Sequence, residues 1–266
     1  MSSTERLVVI VSCISLAVIS LAALFILYYL YLPSLETVSY ESLPFLGSHV
    51  NLPASIPISG IQGAVFLLCG SITANILKKS KNPEINFFIF GLLSYAGLGI
   101  YNLSPVLYLI GLPFPVAVFM VRLFYLLWIF GTLMMCIAGL FSYGIFQMKQ
   151  HVFLITAAVG SAMIALIMPL DTLHILRIFP FVPVSHDILP LFIRIIAVLG
   201  VLSFFGAGIH HSSKRYAGAG IGLLLVFIGN NTGFAHSLIR SAVGSVMIIT
   251  GTALYVYMIY TEYMWS

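Results

Sequence analysis

Charge is scarce in this chain of 266 residues: Asp, Glu, Lys and Arg make up 7% of it, against 61% for the hydrophobic residues. A water-soluble globule of that length needs more polar surface, so a soluble fold is excluded. Cysteine is equally sparse. Cys13, Cys69 and Cys136 all lie in apolar runs with no close-spaced pair, which offers neither a disulfide framework nor a zinc site. No polar stretch is long enough for a kinase, cyclase or nucleotide-binding domain. There is no H-E-x-x-H pattern and no serine or cysteine in a recognisable nucleophile elbow, so hydrolase chemistry has no motif to stand on. All five lysines sit in short polar breaks, none in mid-run where a Schiff base to a retinal-type group would form. Most of the seven histidines lie at the ends of runs, whereas axial haem ligands face each other inside helices. The sequence thus names no cofactor.

What remains is long apolar runs, with a mean hydropathy of +1.13. Runs of about eighteen residues or more read as membrane spans, and they predict an all-α, polytopic transmembrane helix bundle forming one domain over residues 1–266. Eight spans are expected, near 7–31, 59–77, 85–110, 116–147, 152–170, 188–210, 216–234 and 240–262. The first is expected to be an uncleaved span, because its apolar stretch is far longer than the roughly 7–15 residues of a secretory core. The seventh is glycine-rich and closes on Gly229-Asn230-Asn231-Thr232-Gly233, which predicts an unwound outer end.

Positive charge sets the orientation. With eight spans, Arg6, Lys78, Lys79, Lys81, Lys149, Lys214 and Arg215 all fall on one side; that side is expected to be the cytoplasm, with both termini on it. Glu36, Glu41, Asp171 and Asp187 fall on the other. The net charge of +4 is concentrated in membrane-flanking turns, where it suits anionic lipid headgroups rather than nucleic acid. A plasma membrane or bacterial inner membrane is the expected location, and the bilayer is the first expected partner.

Candidate binding residues lie on the predicted outer side. Arg122 is seven residues beyond Pro115 and Arg194 seven beyond Asp187, which places each about 10 Å below its helix start. An arginine at that depth either reaches back to the headgroups or faces a polar cavity. The same layer holds Asn102, Asp171, His174, Arg177, His186, Asp187, Asn230, Asn231, His236 and Arg240. If these converge, they make a cationic pocket for a carboxylate, a phosphate or a lipid headgroup.

The expected function is therefore non-enzymatic: a receptor-like or accessory subunit binding an anionic small molecule or lipid headgroup in an outward-facing, arginine-lined cavity. Three alternatives stand beside it. One is a small secondary transporter, with Asn230-Asn231 marking a broken helix. Another is a lipid-modifying intramembrane enzyme using Asp171, His174, His186 and Asp187 as acid–base groups. The last is a structural subunit that packs on a partner membrane subunit. Close helix contact is expected at Gly218/Gly222, at Gly229/Gly233 and along Ser203, Ala207 and His211. Tyr255, Tyr257, Tyr260, Tyr263 and Trp265 are expected to anchor the last helix at the interface.

Overall fold

The computed structural model describes residues 52–76, 82–98, 114–144, 150–168, 188–233 and 238–265. Those residues form seven helices: α1 (Leu52–Ile76), α2 (Pro83–Ala96), α3 (Phe114–Ser142), α4 (Gln150–Ile167), α5 (Ile188–His210), α6 (Lys214–Gly233) and α7 (Leu238–Trp265). Each apolar run that was read as a span, apart from 7–31, begins or ends within a few residues of one of them. The run 7–31 lies outside the described residues.

The count of eight spans is corrected. Among the described residues four helices are long and apolar enough to cross a membrane, over Val118–Ser142, Gln150–Ile167, Leu189–His210 and Ile239–Glu262. The others fall short for identifiable reasons. In α1 the apolar segment Gly60–Ile76 is shorter than a full span. The α2 helix has only 14 residues, about 21 Å at helical rise against a hydrocarbon layer of about 30 Å. In α6 the polar ends Lys214-Arg215 and Asn230-Asn231-Thr232 flank a glycine-rich middle.

Six helices close into a ring in the order α1, α2, α3, α5, α6, α7, with α7 returning to α1; α4 packs on α3 from outside. Successive helices alternate in direction. The ends of α1, α3, α5 and α7 therefore meet the starts of α2, α4 and α6 at one end of the bundle, the Glu84 end. The opposite end holds Asn230.

Aromatic side chains fill the ring. Tyr255 stacks on Phe88 with centroids 3.7 Å apart and meets Phe204 edge-on at 5.5 Å. Tyr95 meets Phe66 edge-on at 5.5 Å; its hydroxyl shares a 2.7 Å hydrogen bond with Thr132, whose own hydroxyl lies 2.8 Å from Trp128 O. Tyr255 is thus a core residue rather than the interfacial anchor expected of it, while Tyr257 and Tyr260 are exposed. Its place on α7 puts it on the helix face turned to α2.

Glycine sets how closely the backbones approach. A Cβ on Gly222 would stand 2.7 Å from Gly251 O, and one on Gly229 would stand 2.7 Å from Gly244 O, so the α6–α7 crossing requires glycine. Equivalent contacts join Gly91 to Gly131 across α2 and α3, and Gly139 to Gly200 across α3 and α5. Inside a lipid-like surround such packing replaces the hydrophobic drive that water supplies elsewhere. By contrast α4 turns Val152, Ile155, Val159, Met163 and Leu166 outward as a continuous exposed stripe, the surface a bilayer would cover.

The predicted unwinding of α6 is also corrected. The helix runs unbroken to Gly233. Asn231 Nδ2 donates to Phe227 O at 3.0 Å and Thr232 Oγ1 donates to Ile228 O at 3.0 Å. Both side chains thereby bond back to the preceding turn instead of competing with it.

Candidate functional site

Only two carboxylates occur among the described residues, Glu84 and Glu262, and both lie at the same end of the bundle. Glu84 gets there because Pro83 starts α2, where proline's missing N–H is no loss, and an acid in the first turn complements the helix dipole. Its side chain points inward, with the residue 3% exposed. Oε2 accepts a 2.9 Å hydrogen bond from Ser142 Oγ at the last residue of α3, and that hydroxyl also lies 3.1 Å from Ala138 O. Oε1 is buried and has no hydrogen-bond partner. No Lys, Arg or His among the described residues pairs with this carboxyl.

The next groups come from the turn between α5 and α6. Ser213 N donates to Gly208 O at 3.0 Å and Ser212 N to Ile209 O at 3.2 Å, the two bonds of a Schellman ending. Ser212 takes the left-handed position, with φ 52°. Ser213 then caps α6, accepting the N–H of Arg215 at 3.4 Å, and donates its hydroxyl to Glu262 Oε2 at 2.9 Å. Arg215 reaches across to Thr261 O at 2.9 Å and Glu262 Oε2 at 3.4 Å. Three residues of turn thus tie α5, α6 and α7 together.

His211 closes the cluster. Its Nε2 lies 3.2 Å from Ser142 O; because a carbonyl only accepts, Nε2 carries the proton. Its ring lies between His210 and Tyr216, with centroids 4.9 and 5.4 Å away. Tyr216 and Tyr255 lie within electrostatic reach of Glu84, and Tyr255 Oη is buried without a partner. The result is a chain of polar groups from the half-buried Arg215–Glu262 pair to a carboxyl sealed in the ring.

The predicted outer-side residues are arranged differently. Asp171, His174, Arg177, His186 and His236 lie outside the described residues, as do Asn102 and Asp187. Arg194 on α5 and Arg240 on α7 are exposed and separated around the ring by α6. Arg122 on α3 is partly buried, with a buried Nε that has no partner. Asn230 is 1% exposed; its backbone carbonyl accepts from Gln62 Nε2 of α1 at 3.4 Å, and its Oδ1 has no partner. Among the described residues no hydrogen bond or ion pair joins any two of Arg122, Arg194, Arg240, Asn230 and Asn231.

Sequence reasoning passed over Glu84, Ser142, Ser213 and Glu262. One signal was available: both acids fall on the side where the lysines and arginines of the turns collect, against the general sorting of charge. Groups of three or more His, Cys, Asp or Glu placed to hold a metal ion do not occur among the described residues. Cys69 and Cys136 are buried free thiols. No family model, no curated protein and no solved structure matches this chain.

Proposed function

We propose that this chain is a non-enzymatic, multi-pass membrane protein of the transport class, whose working group is Glu84 and whose transported ion is the proton. The observation that carries this reading is a carboxyl 3% exposed, bonded on one oxygen to Ser142 and on the other to nothing. An acid buried in a membrane bundle without a cation beside it is a poor structural element and a good proton carrier, since it is stable there as the neutral acid. Ser142 suits both states: its hydroxyl donates to the carboxylate and accepts from the acid. Glu262 lies within electrostatic reach of Glu84 and His211 bonds to the carbonyl of Ser142, so polar groups lead away from Glu84 at this end of the bundle.

The test uses the full chain in liposomes loaded with a pH-sensitive dye, with a potassium diffusion potential to drive protons inward. Wild type should acidify the lumen and Glu84→Gln should not. Equal rates in the two, with both correctly folded, would remove Glu84 from the mechanism.

A second reading keeps the outward-facing anion site, because the buried, unpartnered Nε of Arg122 is a donor in want of an acceptor. It makes the chain a receptor-like or accessory subunit binding a carboxylate, phosphate or lipid headgroup through Arg122 and Arg194. Phosphate should then raise the thermal midpoint in detergent for wild type and fail to do so for the double Arg122→Leu, Arg194→Leu variant. The same rise in both proteins would dispose of this site.

A further inference from the structure

The inward face of α7 is unusual for a buried helix. Ser241, Ser245, Ile248, Thr252, Tyr255, Ile259 and Glu262 recur at alternating steps of four and three residues, the spacing of a single helical seam. All but Glu262 are buried, yet five of the seven carry an oxygen in the side chain. Elsewhere in the bundle buried hydroxyls are satisfied at home: Ser161 bonds to Ala157 O at 2.6 Å, Thr73 to Cys69 O at 2.6 Å and Thr132 to Trp128 O at 2.8 Å. Along this seam they are not. Ser245 Oγ, Thr252 Oγ1 and Tyr255 Oη are buried without a hydrogen bond, and so are Asn230 Oδ1 of α6 and Glu84 Oε1 of α2. Arg122 Nε, on the far side of the ring, completes the set of such atoms among the described residues.

Register places these atoms in levels. Thr252 Oγ1 lies beside the Cys69 thiol of α1, although without the geometry of a hydrogen bond. Because α1 and α7 run the same way, seven residues back from each puts Gln62 at the height of Ser245. Gly229 packs against Gly244, which brings Asn230 to that height too, and Gln62 Nε2 already donates to Asn230 O. One level therefore holds Gln62, Asn230 and Ser245, the next Thr252 and Cys69, and the last Tyr255 with Glu84 and Tyr216. From Ser245 to Glu262 the helix rises about 26 Å, close to the thickness of a hydrocarbon layer.

We propose that this seam is the proton route, with water joining Gln62, Asn230 and Ser245 at one end through Thr252 to Tyr255 and Glu84 at the other. Orphaned oxygens in a buried polar file are the partners that bridging water requires. Each proton enters as an O–H bond to one water or side-chain oxygen, and an O–H bond on the far side of that oxygen breaks as it leaves. Glu84 is filled and emptied in turn and no other species is consumed. The groups within bonding or electrostatic reach of Glu84 are Ser142 from α3, Tyr216 from α6, and Tyr255 and Glu262 from α7. The inference rests on the transport reading of Glu84 and adds the path.

The same proteoliposomes test it. Thr252→Val nearly preserves volume, Ser245→Val adds one methyl group, and both remove a mid-helix hydroxyl. With the fold confirmed by circular dichroism and gel filtration, each should slow potential-driven acidification by about tenfold or more, the rate equivalent of one hydrogen bond lost from the barrier. The infrared carboxyl band assigned through Glu84→Gln should be unchanged in both. Wild-type flux in Ser245→Val and Thr252→Val, with Glu84→Gln inactive, overturns the path and leaves the Glu84 reading standing. Full flux in Glu84→Gln overturns that reading, and with it a route that ends on this carboxyl. No flux above that of empty liposomes overturns the route as well. Should either valine variant misfold, Ser245→Ala and Thr252→Ala with the same readout decide the matter.

Discussion

At the Glu84 end, side chains from five consecutive parts of the ring bond to one another, whereas at the Asn230 end the two exposed arginines, Arg194 and Arg240, stand on helices with α6 between them. Both ends combine basic and neutral polar groups, so composition alone does not separate them. Connection length does. The α5–α6 turn has three residues, 211–213, and its serines finish one helix, start the next and bind Glu262. At the other end two connections are far longer, 99–113 and 169–187, and the third, 234–237, is short but lies outside the described residues. A charge near a helix end becomes part of a site when a short turn and a close crossing deny it the freedom to reach solvent.

The largest expected effect lies between the ends, in the crossing that both share. Gly222→Leu would put a side chain where a Cβ already meets Gly251 O at 2.7 Å and Tyr255 N at 2.8 Å. Backbone atoms cannot yield as side-chain tips do, so a loss of about 3 kcal/mol or more is expected, with the folded monomer peak in gel filtration depleted. Gly160→Leu on α4, where a Cβ meets nothing within 4 Å, is the control and should elute as wild type. If Gly222→Leu folds normally, the ends do not depend on this seam.

A smaller effect sharpens the contrast between the ends themselves. Ser142→Ala takes the last described partner from a buried carboxyl and should lower stability by about 1–3 kcal/mol in thermal unfolding. Arg194→Ala, at an exposed position of the other end, should stay within about 0.5 kcal/mol. Equal shifts would mean that convergence at the Glu84 end has no energetic content.

The smallest effect is a gain. Ser212 holds φ 52°, a region where a Cβ is crowded, so Ser212→Gly should stabilise the α5–α6 turn by about 0.5–1 kcal/mol. A fall in the thermal midpoint would show that the serine hydroxyl contributes more than its backbone strain removes. The Arg215–Glu262 pair, 41% and 18% exposed, is expected to add little to the turn.

Much of the fold was legible. Apolar runs located α3, α4, α5 and α7 to within a few residues, since a helix that faces lipid must be apolar along its whole length. The glycines of α6 were read as packing residues, and Gly222 and Gly229 do meet α7. Their partners Gly251 and Gly244 were not legible, because nothing local in α7 says which of its glycines will lie under another backbone. Asn230-Asn231 misled for a related reason: Asn231 bonds back to Phe227 O in the preceding turn of α6, and Asn230 is buried in the bundle without breaking the helix. The candidate site was scarcely legible at all. Glu84 looks like an ordinary helix-start acid, and the 58 positions that separate it from Ser142 carry no periodic signal.

By itself the sequence determined that the chain is helical, that its helices are too apolar for water, and roughly where α3 to α7 begin and end, because these follow from the composition of single segments. Only the tertiary structure decided that α7 returns to α1, that Tyr255 lies in the core, and that Glu84, Ser142, His211 and Glu262 share one end. Those are contacts between segments far apart in the chain. They are fixed by which glycines allow two backbones to touch, a property of pairs that no single segment contains.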